Sequence, residues 1–191
     1  KAENNGGNDS VSVENPNIIV VMNESFADLS VLGDFGYDPD CTPFIDSLTE
    51  NTVKGQAYVS VKGGNTPNSE WEFLTGNTMA FLPSGSIPYQ QYVRTETENF
   101  MSTLKNKGYS TYGIHPYGAS GWKRDTVYPL LSIDESFFRP AFSSNDRIRS
   151  YISDEAVYDK IIELYHYNLD NDKPLGIFAV TMQNHGGYAN F

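Results

Sequence analysis

Asn17-Ile18-Ile19-Val20-Val21-Met22 is an unbroken, mostly β-branched apolar run. A strand with one wet face alternates apolar and polar residues, whereas one covered on both faces does not, so this run reads as a buried strand of a parallel sheet. Upstream, residues 1–15 are rich in Asn, Gly, Ser and Glu and read as a flexible lead-in or linker to a single domain over 16–191. Downstream, Thr42-Pro43 opens a short helix to about 49, 56–61 reads as a second strand, and 67–75 as a helix. Residues 80–94 hold Pro83, Gly85 and Pro88 and read as an irregular loop. A helix over 97–107 stops at Gly108, a strand follows over 109–114, and a short helix over 122–131. Ser153 caps an amphipathic helix over 154–168, with Ala156, Ile161, Ile162 and Leu164 among its apolar positions, and 175–181 is a last buried strand. Strands alternating with helices give an α/β fold, a mostly parallel sheet flanked by helices. Ligands of such sheets bind beyond the carboxyl ends of the strands, so chemistry is expected just after each one.

The bulk properties narrow the function. A chain of 191 residues suits one domain or part of a larger one. Its net charge of −11 argues against nucleic acid as a partner and against electrostatic docking on an anionic membrane. An acidic protein that handles anions needs local Lys or Arg, or a metal ion, to overcome its own field. Cys41 is the only cysteine, so no internal disulfide forms. No stretch of about 18 apolar residues is present, and the first residues lack a signal-peptide core.

The strand ends carry the residues with chemical potential. After the first strand comes Asn23-Glu24-Ser25-Phe26, where the Glu24 carboxylate is costly unless solvated, paired or bound to a cation. Ser25 reads as a turn or capping residue. After the second comes Gly63-Gly64-Asn65-Thr66-Pro67-Asn68-Ser69-Glu70-Trp71-Glu72-Phe73, a glycine turn leading into a helix with Pro in its first turn. The Thr66 hydroxyl is then either a simple helix cap or an oxygen held at the positive end of the helix dipole, where phosphate binds. Beside a metal ion such an oxygen becomes a nucleophile toward phosphorus. Ser69, a turn inside the helix, ranks below it. His115-Pro116-Tyr117 and Trp122-Lys123-Arg124 follow the third strand, and Gln183-Asn184-His185-Gly186-Gly187 the last. Two of the three histidines, His115 and His185, thus fall at strand ends, while His166 reads as a surface residue on a helix. Arg124 offers a planar fork for phosphate and Trp122 a flat wall for a small polyol or lipid headgroup; the alternative is a core Trp beside a surface Arg.

Taken in order, Asn23-Glu24-Ser25-Phe26, Gly64-Asn65-Thr66-Pro67-Asn68-Ser69-Glu70, His115 with Trp122-Lys123-Arg124, and Thr181-Met182-Gln183-Asn184-His185 resemble the extracellular domain of lipoteichoic acid synthase-like phosphoglycerol transferases, in the sulfatase and alkaline phosphatase superfamily. Phe81-Leu82-Pro83-Ser84-Gly85-Ser86 and Pro88-Tyr89-Gln90-Gln91-Tyr92 resemble its Gram-positive, clostridial-type branch. The resemblance implies that Glu24 is a metal ligand and that Thr66 is both metal ligand and nucleophile. It implies that His115, Trp122, Arg124 and His185 hold the glycerol phosphate group. It further implies a divalent cation, Mn²⁺ foremost and Mg²⁺ second. The implied reaction moves glycerol phosphate from phosphatidylglycerol to a growing polyglycerolphosphate (lipoteichoic acid) chain through a covalent threonine intermediate. The implied location is the outer face of a Gram-positive cell membrane, anchored by N-terminal helices absent from this sequence, with no nucleic-acid partner.

One departure stands out. The family's adjacent Asp-His pair of metal ligands lies downstream of the position matching His185, and this chain contains no Asp-His dipeptide. The expectation is therefore the amino-terminal part of a catalytic domain, truncated at its carboxyl end and inactive alone, with an open sheet edge inviting self-association. Thr66-Pro67-Asn68-Ser69-Glu70 lacks the Cys/Ser-x-Pro-x-Arg pattern of formylglycine sulfatases, which disfavours sulfate-ester chemistry. A phosphoethanolamine transferase or a phosphodiesterase remains an alternative, as does a catalytically silent cell-surface binding domain.

Overall fold

The run at the head of the domain forms β1 (Ile18–Met22) in a computed structural model that describes residues 15–26, 33 and 42–188. Of the expected lead-in over 1–15, residues 1–14 lie outside the described residues, as does Cys41. Five more strands and six helices follow among the described residues: α1 (Pro43–Ser47), α2 (Thr66–Thr75), α3 (Pro88–Gln91), α4 (Phe100–Asn106), β2 (Ser110–His115), α5 (Arg124–Leu130), β3 (Glu135–Phe138), β4 (Arg147–Ile148), β5 (Tyr151–Ile152), α6 (Asp154–Asp170) and β6 (Leu175–Val180). The main sheet is parallel throughout, in the order β1-β6-β2-β3, with Ile19 opposite Ile177 and Tyr112 opposite both Ile177 and Glu135. The expected α/β class and mostly parallel sheet are what the chain adopts.

β6 is the strand that is buried along its whole length, and its side chains alternate between two cores. Phe178 and Val180 join Trp71, Leu74, Tyr89, Met101, Leu104, Val127 and Tyr128, under α2 to α5. Leu175, Ile177 and Ala179 join Val157, Ile161 and Leu164 of α6 on the other face. Burying each such side chain on folding contributes about 1.5–3 kcal/mol, which explains why the strand is apolar at every position. β1, read from its sequence as interior, pairs only with β6 among the described residues and leaves Ile19 43% exposed.

The helix boundaries follow local chemistry. Asn99 accepts from the Met101 and Ser102 amides while Ser102 Oγ accepts from the Asn99 amide at 2.8 Å, a reciprocal cap that starts α4. Gly108, at φ +87°, ends that turn and delivers the chain into β2. Ser153 Oγ accepts from the Ala156 amide and starts α6 as expected.

Residues 56–61 are the clear miss: they form no strand. Tyr58 is 92% and Val59 60% exposed, and no described strand lies beside them. β-branched composition stabilises a strand only through neighbours on a pleated surface, which this segment lacks. The loop read at 80–94 also contains two short helical pieces, a 3₁₀ turn at Met79–Phe81 and α3.

Close backbone packing in β2 yields one stability prediction. A Cβ on Gly113 would sit 2.8 Å from Cδ2 of the Tyr128 ring and 3.1 Å from Cγ2 of Ile133. That ring is fully buried and its hydroxyl is bonded to Glu70, so it has little room to yield. Gly113→Ala is expected to lower stability by about 1–3 kcal/mol, seen as a lower urea midpoint at unchanged slope; an unchanged midpoint refutes the packing described.

Candidate active site

Glu24, Thr66, His115, Trp122, Arg124 and His185 all line one cleft of about 110 Å³ at the carboxyl ends of β1, β2 and β6, joined there by Tyr117, Gly121, Tyr151 and Met182. All six side chains singled out from the sequence are therefore brought together. A larger cleft of about 530 Å³ lies between α6 and residues 141–148. It is lined by Asp146, Glu155, Asp159 and Glu163 rather than by any of these groups, so chemistry rather than size identifies the site.

Thr66 is not a cap. Gly63, Gly64 and Asn65 are all left-handed, at φ +61°, +67° and +56°, a turn that glycine and asparagine tolerate best. Asn65 is the N-cap and makes no side-chain cap bond. Thr66 occupies the first helical position instead, and its hydroxyl donates to Glu24 Oε2 at 3.1 Å. Glu24 is placed by its own backbone: its amide donates to Thr181 Oγ1 at 3.1 Å, and Thr181 donates to Asn23 Oδ1 at 2.9 Å. The ends of β1 and β6 are thus locked together under the Glu24–Thr66 pair.

Arg124 and Trp122 reverse the alternative of a core Trp beside a surface Arg. Arg124 is 2% exposed and Trp122 is half-buried. Trp122 and Lys123 are both left-handed, at φ +56° and +60°, which costs roughly 1–2 kcal/mol each in residues with a Cβ. The turn sends Arg124 inward onto Glu70, one helical turn after Thr66 on α2. Arg124 Nε donates to Glu70 Oε2 at 3.2 Å, and Nη2 forms a salt bridge with Oε1. The Tyr128 hydroxyl also donates to Glu70 Oε2, at 3.2 Å. Burial, reinforced by the Glu70 carboxylate, pushes the Tyr128 phenol well up, so it remains a donor. Sequence reasoning gave Glu70 no role, because charged helix residues are ordinarily solvated.

The two histidines sit differently. His115 Nδ1 lies 3.1 Å from the Val180 carbonyl, and Nε2 lies 3.1 Å from Arg124 Nη1. A carbonyl only accepts and a guanidinium only donates, so His115 is neutral with its proton on Nδ1 and both nitrogens are engaged. Burial first, and then the Arg124 charge, hold its pKa down to about 3. Arg124 Nη1 also donates to the Gly121 carbonyl at 3.3 Å. Of the five guanidinium N–H groups, one on Nη2 has no partner among the described residues. His185 is exposed and its ring leans on Tyr151. Tyr117 and Tyr151 add an aromatic rim, their ring centroids 6.2 Å apart. Neither was singled out from sequence, since nothing local distinguishes them from the other tyrosines.

The donor set suits a hard or borderline divalent cation, since Glu24 and Thr66 present two oxygens 3.1 Å apart at one point of the cleft. Among the described residues no group of three His, Cys, Asp or Glu side chains completes such a site. Ser69, the rival hydroxyl, is not among the residues lining the cleft, and His166 is exposed as expected. No helix among the described residues is long and apolar enough to cross a membrane.

Residues 16–191 match the family model described as Sulfatase. A Rhizobium meliloti (strain 1021) protein named "Putative cyclic beta-1,2-glucan modification protein" is 35% identical over 173 residues, which are 91% of this chain and 26% of that protein. The chain therefore spans about a quarter of the length of the curated relative it matches. The fold is similar to that of the phosphoglycerol transferase GacH from Streptococcus pyogenes, solved with sn-glycerol-1-phosphate. That likeness has a TM-score of 0.77 and 22% identity, over 93% of this chain and 47% of that one. It is also similar to the lipoteichoic acid synthase LtaP from Listeria monocytogenes, with a TM-score of 0.61 and 23% identity, over 67% of this chain and 31% of that one. At these identities the two structures bear on the fold alone.

Proposed function

This chain belongs to the sulfatase family, and from that premise we propose that the protein it forms part of transfers glycerol phosphate from phosphatidylglycerol to an acceptor hydroxyl through a covalent intermediate on Thr66. The observation that carries the reading is the Thr66 hydroxyl bonded to Glu24 in a cleft shared with Arg124, Trp122 and His185. The sn-glycerol-1-phosphate with which GacH was solved supports the choice of headgroup.

In the first step Thr66 Oγ1 forms a bond to phosphorus. The bond from phosphorus to the diacylglycerol oxygen breaks, and the proton that Thr66 gives up ends on that leaving oxygen. In the second step the acceptor oxygen attacks phosphorus, the bond to Thr66 breaks, and the Thr66 oxygen is reprotonated. Glu24 holds the Thr66 hydroxyl in place before attack. Arg124 offers its remaining N–H to a phosphoryl oxygen, and Trp122 walls the glycerol. Superfamily members use divalent metals, and one held by Glu24 and Thr66, Mn²⁺ foremost and Mg²⁺ second, would favour the alkoxide and polarise the phosphoryl oxygens. Action at the outer face of a cell membrane belongs to the same proposal.

The acceptor has two readings. One is the growing polyglycerolphosphate chain implied by the resemblance to lipoteichoic acid synthases. The other is a glucan hydroxyl, favoured by the name of the 35% identical relative and by a net charge of −11, which repels a polyanion. In the full-length protein, diacylglycerol release from phosphatidylglycerol is expected to exceed, by at least about tenfold, diacylglycerol release from phosphatidylethanolamine and phenol release from an aryl sulfate ester, a difference of roughly 1.4 kcal/mol. Equal or faster release from either competitor contradicts the headgroup assignment. Label recovered on glucan rather than on polyglycerolphosphate decides the acceptor.

A further inference from the structure

The β4–β5 hairpin reaches into the cleft and holds the loop that carries His185. Tyr151 Oη lies 3.2 Å from His185 Nδ1 and 3.2 Å from the Gly186 carbonyl oxygen. At the hairpin turn Arg149, left-handed at φ +57°, donates from Nη2 to the carbonyls of Gln183 at 2.6 Å and His185 at 3.3 Å. Its guanidinium also lies 4.1 Å above the Tyr188 ring, a cation–π contact on the same loop. The hairpin therefore holds the backbone of the loop through Arg149 and the imidazole through Tyr151.

The bonding pattern at Tyr151 points to where the proton of neutral His185 sits. A phenol has one hydrogen, and the Gly186 carbonyl can only accept it. With that hydrogen spent, the contact at Nδ1 is a hydrogen bond only if Nδ1 donates to the phenol oxygen. Nε2 is then a bare acceptor, and it has no hydrogen-bond partner among the described residues. His115 carries the same tautomer but spends its Nε2 on Arg124, so of the two histidines only His185 has a ring lone pair to offer the cleft.

We propose that Tyr151 is a positioning residue that fixes His185 with its proton on Nδ1, so that Nε2 accepts the proton of the incoming acceptor hydroxyl. This use rests on the phosphoglycerol-transfer reading; the tautomer assignment does not. In the discharge step the acceptor oxygen bonds to phosphorus, its proton passes to Nε2, and the bond from phosphorus to Thr66 breaks. The Thr66 oxygen then regains a proton from the imidazolium, which returns to its starting tautomer.

The test uses full-length protein labelled with ¹⁵N-histidine, the His185 signal being assigned by its loss in His185→Gln. The imidazole nitrogen shifts of the unsubstituted protein, at a pH where His185 is neutral, are expected to show Nδ1 protonated, and Tyr151→Phe is expected to lose that preference. In the same variant, discharge of glycerophosphate from the enzyme is expected to slow by roughly tenfold or more while kcat/KM for phosphatidylglycerol holds, on the scale of proton-transfer catalysis. A proton found on Nε2 in the unsubstituted protein overturns the proposal without recourse to any variant. So does an unchanged tautomer, or an unchanged discharge rate, in Tyr151→Phe. If no glycerophosphoryl enzyme forms at all, the transfer reading fails while the nitrogen shifts still decide the tautomer.

Discussion

Thr66→Ala in the full-length protein is expected to abolish glycerol phosphate transfer, by about 10⁴-fold or more, the scale on which removing a nucleophile acts. The fold should survive. The Thr66 side chain makes one described hydrogen bond, to Glu24, and losing it costs about 1 kcal/mol. Helix α2 keeps its left-handed lead-in and its Pro67, so the helix start persists. The check is transfer of labelled glycerol together with a thermal melt. Substantial transfer by a well-folded variant ends the nucleophile assignment, and a collapsed fold means that Thr66 carries more structure than its single bond implies.

Glu70→Ala is expected to have the largest effect on stability. It strips the partner from a guanidinium that is 2% exposed and removes the acceptor of the Tyr128 hydroxyl. Breaking one side of a buried pair costs about 3–5 kcal/mol, a large share of the roughly 5–15 kcal/mol that holds a domain together. A double change, Glu70→Leu with Arg124→Met, replaces both charges by apolar groups and should recover much of that loss, since such swaps are often neutral. It should not recover transfer, because the fork that meets phosphate is gone. Urea unfolding of the two variants checks the first point and a transfer assay the second. An unchanged midpoint in Glu70→Ala contradicts the buried pair, and restored transfer in the double variant contradicts the role of Arg124.

These two residues also show where sequence reading succeeds and where it stops. The strand ends were legible because a long apolar run followed by Glu24, His115 or His185 is a local pattern, and parallel-sheet topology gathers such ends at one side. The cleft holds all three. Thr66 was ambiguous because a cap and a nucleophile look alike within α2. What separates them is the contact to Glu24, 42 positions away in the chain, which no local rule reports. Glu70 was invisible for the same reason: its partner Arg124 is 54 positions distant.

The misses share a physical cause. Residues 56–61 have strand composition but no neighbouring strand among the described residues, and propensity without a partner gives no sheet. β3 is short, and it holds its place through register with β2, where Ile114 faces Phe137, rather than through a pattern of its own. The β4–β5 hairpin has two-residue strands and turns at Arg149, without the Asn-Gly or Asp-Gly signal of tight hairpins. Yet that hairpin brings Tyr151 to His185, so part of the site was carried by an element that the sequence does not advertise.

The most direct test of the covalent mechanism is peptide-mapping mass spectrometry of full-length protein quenched in acid during turnover of phosphatidylglycerol. The account predicts a glycerophosphoryl group on the Thr66 side chain, absent from Thr66→Ala. Turnover with no adduct on the enzyme, or an adduct on another residue such as Ser69, would contradict it.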